Sequence, residues 1–155
     1  MASPNRVTLR EIDADTVRAI TKLAVKPEQQ CFVAPNAVSL AQALFSKEAW
    51  YRAIYVDETP AGFVMLYDET LREIPPANPQ VGLWRFMVDA AFQGQGVGRA
   101  ALALVIDHVR AKQRFRNLEC SYVPGDGCPE RFYLSMGFRH TGRKEGEEVV
   151  LELGV

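Results

Sequence analysis

The stretch that decides the reading runs Val88-Asp-Ala-Ala-Phe-Gln93-Gly94-Gln95-Gly96-Val97-Gly98-Arg99. It follows a strand-like run, Val81 to Asp89, with two bulky aromatics, Trp84 and Phe86. It precedes a helix predicted from about Arg99 to Arg114, whose positions Leu102, Val105, Ile106 and Val109 fall on one apolar stripe. A glycine-rich turn between strand and helix exposes backbone N–H groups. Those donors, with the positive end of the helix dipole, suit an anionic phosphate. The glycines let the backbone approach a ligand closely and adopt positive φ.

Other phosphate sites use similar turns. A Walker A loop ends in Gly-Lys-Ser/Thr, whereas Gly98 is followed by Arg99 and Ala100, so that pattern fails. Gly96, Gly98 and Ala101 match the dinucleotide pattern G-x-G-x-x-A, and Glu119 lies near the ribose-binding distance. That fold, however, needs a βαβ series on a parallel sheet. Here antiparallel-looking strands come first, and too little chain follows. A tight turn that binds nothing is the remaining alternative.

Upstream of the turn, Val7 to Glu11 alternates like a short strand, and a helix through Val17, Ile20 and Leu23 is broken by Pro27. Ser39 is read as the N-cap of a second helix reaching about Glu48. Tyr51 to Val56 and Gly62 to Tyr67 form a hairpin about Asp57 to Ala61. Three prolines between Ile74 and Gln80 rule out regular structure and predict a surface loop near the substrate mouth. Downstream come a strand (Leu118 to Val123), a short helix (Glu130 to Met136) stopped by Gly137, and a final hairpin about Gly146. The predicted order is β-α-α-β-β-β-α-β-α-β-β. It makes an α/β (α+β) fold with a mixed, mostly antiparallel sheet flanked by helices, and one parallel or splayed pair after Val88.

The 155 residues fit one domain, 1–155. A net charge of −1 argues against a nucleic-acid binder with a broad basic face. Cys31, Cys120 and Cys128 have no disulfide or metal spacing, and His108 and His140 are the only histidines, so no metal is expected. Met1 to Arg10 is polar, hence no signal peptide. The most apolar stretch, Ala100 to Val109, is too short for a membrane span. A cytoplasmic protein with no membrane or nucleic-acid partner is the expectation.

Gln93-Gly-Gln-Gly96-Val-Gly98 resembles the pyrophosphate motif Q/R-x-x-G-x-G/A of the GNAT superfamily of N-acetyltransferases. Phe132-Tyr133-Leu-Ser-Met-Gly137-Phe138 resembles the second signature of that family, a tyrosine four residues before Gly-Phe. The two occur in the family order, separated by one helix and one strand.

The resemblance implies the GNAT fold and acetyl-CoA as cosubstrate, wedged between splayed strands. It assigns backbone contacts with the pantetheine arm to Met87 and Val88. It assigns Gln93, Gly94, Gln95, Gly96, Val97 and Gly98 to the pyrophosphate, with Arg99 as a further phosphate partner. It makes Tyr133 the general acid for the leaving thiolate. No covalent intermediate is needed, and no G-x-S-x-G elbow is present. The nucleophile is a neutral amine. With a lysine-like pKa of ~10.4, about one molecule in 2,500 is neutral at pH 7, so a base or a water wire helps.

The chain departs from the family pattern in two places. Asp126 and Pro129 stand where Asn-x-x-Ala is usual, and an ionised Asp126 accepts hydrogen bonds but donates none. Leu83-Trp84-Arg85-Phe86 carries no carboxylate. Asp68 is therefore the first candidate for the base, with Glu69 and Glu28 behind it. An ordered water is the alternative.

Leu83 to Gly96, together with Gln29, Gln30, Phe32, Val33 and Asn36, resembles bacterial spermidine or diamine acetyltransferases. Glu28, Trp84 and Arg85 are the candidates for the substrate side. Asp68, Glu69, Glu73, Trp50 and Tyr51 are further carboxylates and aromatic faces for ammonium groups. A protein or peptide N-acetyltransferase and a non-catalytic acyl-CoA sensor are the competing readings. A homodimer through Val149 to Leu153 is a further possibility.

Overall fold

The computed structural model describes residues 5–155. Residues 1–4, part of the start expected to carry no signal peptide, lie outside the described residues. The elements are β1 (Val7–Arg10), α1 (Val17–Lys22), α2 (Asn36–Ala43), β2 (Ala49–Val56), β3 (Thr59–Asp68), β4 (Val81–Val88), α3 (Val97–Lys112), β5 (Asn117–Tyr122), α4 (Glu130–Ser135), β6 (Arg139–Glu145) and β7 (Glu148–Gly154). The order is the predicted one. The strands form one seven-stranded sheet, ordered β1-β2-β3-β4-β5-β7-β6. Every neighbouring pair is antiparallel except β4 and β5. Among the described residues, no helix is long and apolar enough to cross a membrane.

Side chains alternate along β3 and divide the core into two layers. Val64 and Leu66 pack with Leu102, Val105 and Val109 of α3. Phe63 and Met65 pack with Ile20 of α1 and Met87 of β4 on the other face. Asn36 is buried at the start of α2. It donates to the Ile20 carbonyl at 2.9 Å and lies 3.7 Å from the Met87 sulfur, tying both helices to β4.

Two irregularities in β4 shape the site. Leu83 pairs with Leu66 and Arg85 with Met65, so Trp84 is an extra residue in the strand. This bulge interrupts alternation. Leu83 and Phe86 pack into the α3 layer, while Trp84 packs into the α1 and α2 layer, and Arg85 Nη2 donates to Gln42 of α2 at 3.0 Å. Two consecutive side chains thus share one face. At the same point β4 leaves β5: their pairing ends at Leu83↔Cys120 after three residue pairs.

The far end of β4 is fastened by Asp89. Its carboxylate accepts from the amides of Ala24 (2.9 Å) and Ala91 (3.1 Å), and the Ala90 amide donates to the Ala24 carbonyl. On the β3 side, Gly62 faces Val88. A Cβ at Gly62 would stand 2.4 Å from the Met87 carbonyl oxygen and 3.3 Å from the Val88 Cα. Both obstacles are backbone, so β4 itself would have to move. Gly62→Ala is expected to cost about 2 kcal/mol in urea unfolding, within the range for overpacking. A loss under about 0.5 kcal/mol would show that β4 is not held against β3 at this point.

Three expectations are corrected. Ser39 is not an N-cap: α2 begins at Asn36, directly after Pro35, and Ser39 is buried within it. The loop through residues 74–80 is irregular as expected but lines neither of the cavities described below. Val149 to Leu153 offer no free sheet edge, because β7 is paired with β5 on one side and β6 on the other.

Candidate active site

A cleft of about 810 Å³ opens where β4 and β5 part. Beyond Leu83 the β4 edge has no β5 partner, and an unpaired strand edge can pair with an extended, amide-bearing ligand. Met87 and Val88 line the cleft along this edge.

The glycine turn closes one end. Gly94 and Gly96 have φ of 75° and 80°, the left-handed region that favours glycine. Gly96 caps α3, so the helix starts at Val97, two residues earlier than predicted. The first-turn amides of a helix have no intrahelical partner. Here they sit beside the lining residues Gly96, Val97, Gly98 and Arg99, with the helix dipole behind them. Gly98 lies over Phe132 and Val88, and an added Cβ there would touch both at 3.6 Å. Arg99 Nη2 donates to the Ser135 hydroxyl at 2.9 Å, which steadies the guanidinium at the cleft wall.

The Gln93 side chain is engaged within the protein. Its side-chain amide donates to Gln29 Oε1 at 2.8 Å and to the Val88 carbonyl at 2.9 Å. Both amide hydrogens are spent on the protein. The residue clamps the turn to the end of β4 and to the segment after α1. Gln95 is turned back onto the Ala91 carbonyl at 3.2 Å and does not line the cleft.

Tyr133 of α4 lies in the wall of the cleft and is 7% exposed. Its ring is held by Phe132 and Phe138, with centroids 5.5 and 5.7 Å away. Among the described residues its hydroxyl has no hydrogen-bond partner, leaving it free for a ligand. Burial, with a smaller contribution from Cys120, pushes the phenol well above its ordinary range. A second phenol, Tyr122 of β5, also lines the cleft, and burial first of all pushes it up to about 12.

Trp84 and Arg85 line the cleft as expected. Burial lowers the Arg85 pKa, and the nearby Glu148 carboxylate partly offsets this. The Arg85 Nε is buried without a partner among the described residues.

Other predicted residues, like Gln95, are outside the cleft. Asp68, the expected base, is 1% exposed. Its carboxylate accepts from the Thr70 amide (2.8 Å) and hydroxyl (2.6 Å) and from Lys112 Nζ (2.5 Å), outside the cleft. It ends β3 and anchors α3. Glu69 accepts from the Gln80 amide and pairs with Arg72, fastening the loop after β3. Glu28 and Asp126 sit on exposed turns outside the cleft, which their neighbours Gln29 and Gly127 line instead. The further aromatic candidate Trp50 is stacked on His108 at 4.2 Å, and Glu73 pairs with Lys47. Sequence reading missed Glu148 at the start of β7 and Ser121 of β5, both in the cleft wall. The pairing of β5 with β7 brings them together, and no local signal announces it.

The cleft thus combines a split sheet, an amide cradle at one end and a buried phenol in its wall. The sequence profile of the acetyltransferase (GNAT) family matches residues 28–138, and the chain belongs to that family: it is an acetyl-CoA-dependent N-acetyltransferase. It is 26% identical to the spermine/spermidine N(1)-acetyltransferase of Bacillus subtilis (strain 168) over 156 residues, covering 94% of this chain and 97% of that protein. It is 31% identical to the L-2,4-diaminobutyric acid acetyltransferase of Streptomyces avermitilis over 100 residues, 64% of this chain and 52% of that protein. In fold it is similar to an aminoglycoside acetyltransferase solved in complex with coenzyme A, with a TM-score of 0.74, 13% identity, and coverage of 96% of this chain and 95% of that one.

Proposed function

We propose that the acceptor is the primary amine of a small polyamine or diamine, acetylated by direct attack in a single domain spanning residues 1–155, with Tyr133 as the general acid. The observation that carries the chemistry is the placement of the unpartnered Tyr133 hydroxyl in the same cleft as the glycine cradle. The acceptor class is supported by the likeness, along nearly the whole chain, to a protein named for spermine and spermidine.

Acetyl-CoA is a substrate of the reaction, and the lining residues fit it. The cradle of Gly94 to Arg99 takes the pyrophosphate, and the free edge at Met87 and Val88 takes the amide-bearing arm. With the donor so held, its thioester would lie beside Tyr133, which lines the same cleft. The amine nitrogen attacks the carbonyl carbon, the C–N bond forms, and the C–S bond breaks. A free thiol has a pKa of ~8.5, so the departing thiolate is a weaker base than the raised phenolate. Tyr133 therefore acts chiefly by hydrogen-bonding the developing thiolate in a dry wall, where such a donor is most effective.

A phenol with a raised pKa stays protonated above its ordinary pKa of ~10. The proton donor is thus present throughout the working range, while the neutral amine grows up to about tenfold per pH unit. kcat/KM is expected to rise from pH 6 to pH 10 with no descending limb. A fall centred below pH 9 would assign the essential acid to some other group. The acceptor is tested by following release of the CoA thiol with spermidine, spermine, putrescine, amino acids and an aminoglycoside. Turnover confined to the polyamines and diamines supports the reading; turnover confined to the others overturns it.

A further inference from the structure

Among the described residues lining the cleft, Glu148 is the one carboxylate. It stands at the start of β7, and its Oε2 accepts from the Ser121 hydroxyl of β5 at 3.2 Å. A second cavity, of about 350 Å³, shares Leu83, Trp84, Arg85, Ser121 and Glu148 with the cleft. The two spaces therefore meet at the point where β4 bulges and parts from β5. The second cavity presents two aromatic side chains, Tyr67 and Trp84, set edge to face at 6.0 Å. Its other carboxylates are Glu119, which is engaged by Arg143, and Glu145.

Glu145 stands directly opposite Glu148 in the β6–β7 hairpin. Like charges placed so destabilise a hairpin. Neither side chain has a salt-bridge partner among the described residues, and Arg85 is the cation whose field reaches Glu148. An ammonium group between the two carboxylates would relieve that repulsion. The aromatic faces suit a cation with an alkyl chain.

Building on the amine-acetylating function proposed above, we infer that the acceptor enters through this second cavity and that Glu148 takes the proton from the attacking nitrogen. The same geometry makes Glu145 the contact for a second ammonium group of a linear diamine or polyamine. The balance is complete. The nitrogen lone pair forms the C–N bond, its proton passes to Glu148, and the electrons of the C–S bond leave on sulfur, where Tyr133 meets them. The charged groups around Glu148 are Arg85 on β4, Glu119 with Arg143 on β5 and β6, and Glu145 on β6. This carboxylate comes from β7, where the sequence offered Asp68 at the end of β3.

The test compares wild type, Glu148→Gln and Glu145→Gln with spermidine and with a monoamine of similar length. Acetyl-CoA affinity is followed by calorimetry. Glu148→Gln is expected to lower kcat/KM at least thirtyfold at pH 7 for both amines. The deficit should shrink toward pH 10, where hydroxide can take that proton in place of the carboxylate, and acetyl-CoA Kd should stay within twofold. Glu145→Gln is expected to raise KM about tenfold for spermidine and not for the monoamine. Undiminished kcat/KM in Glu148→Gln, or a deficit equal at every pH, overturns the assignment of Glu148. An equal KM change for both amines overturns that of Glu145. A wild-type enzyme that acetylates only monoamines sinks the polyamine reading and Glu145 with it, while Glu148→Gln on that monoamine still decides Glu148. A wild type silent toward every amine overturns both assignments.

Discussion

Tyr133→Phe is expected to lower kcat by about 10²- to 10³-fold while leaving acetyl-CoA Kd within about threefold. The substitution removes one oxygen and keeps the ring that packs against Phe132 and Phe138. Among the described residues the hydroxyl has no protein partner, so no buried group loses its mate and stability should hold. The loss should therefore fall on the chemical step, as single-turnover kinetics beside calorimetric binding would show. A kcat within fivefold of wild type would remove Tyr133 from the chemistry and direct attention to Tyr122, the other phenol in the wall. A parallel loss of binding and stability would mean instead that the residue is only packing.

Lys112→Met should act in the opposite way, damaging stability and sparing the chemistry. Asp68 is 1% exposed, and the Lys112 ammonium, on a side chain 25% exposed, is its one charged partner. Removing one member of a buried pair leaves the other charge uncompensated, at about 3–5 kcal/mol. The two hydrogen bonds from Thr70 remain, which places the expected loss near the lower end, about 3 kcal/mol. For a domain of this size, that corresponds to a fall in Tm of about 6–12 °C. The kcat of the folded fraction should be unchanged, because the pair lies outside the cleft. Adding Asp68→Asn to Lys112→Met should recover part of the stability. A collapse of kcat at unchanged Tm would return Asp68 to the role the sequence suggested.

The element order and the glycine cradle were legible because each rests on local signals. Gly94 and Gly96 adopt the positive φ that their residue type anticipates. The tyrosine before Gly137-Phe138 lies in the cleft wall, where the motif implied a ligand-facing position. The parallel contact after β4 followed from a single helical crossover. Legibility ended where long-range pairing decides the neighbours. Asp68 looked available because its nearby sequence is polar, but its partner Lys112 is 44 residues away on α3. Glu148 lies in the predicted final hairpin, and only the pairing of β7 with β5 carries it to the cleft. The bulge at Trp84 was equally silent. A one-residue insertion leaves no mark on an apolar strand, yet it turns Trp84 and Arg85 to one face. Gln93 shows a subtler limit: the motif marked the residue but not its side-chain bonds to Gln29 and the Val88 carbonyl.

The three residue pairs joining β4 to β5 divide the sheet mechanically. β1 to β4 form one leaf and β5, β7 and β6 the other, and backbone hydrogen bonds join them at one end only. On the function proposed above, an acyl donor lying along the open length would supply the missing rungs and so act as a removable strand. The energy of its binding would then be partly energy of folding, and the empty protein the softer object. Opening of one leaf against the other is the motion such a joint permits, and a substrate so bound would oppose it. The seam that makes room for chemistry is also the line along which this molecule is built to give.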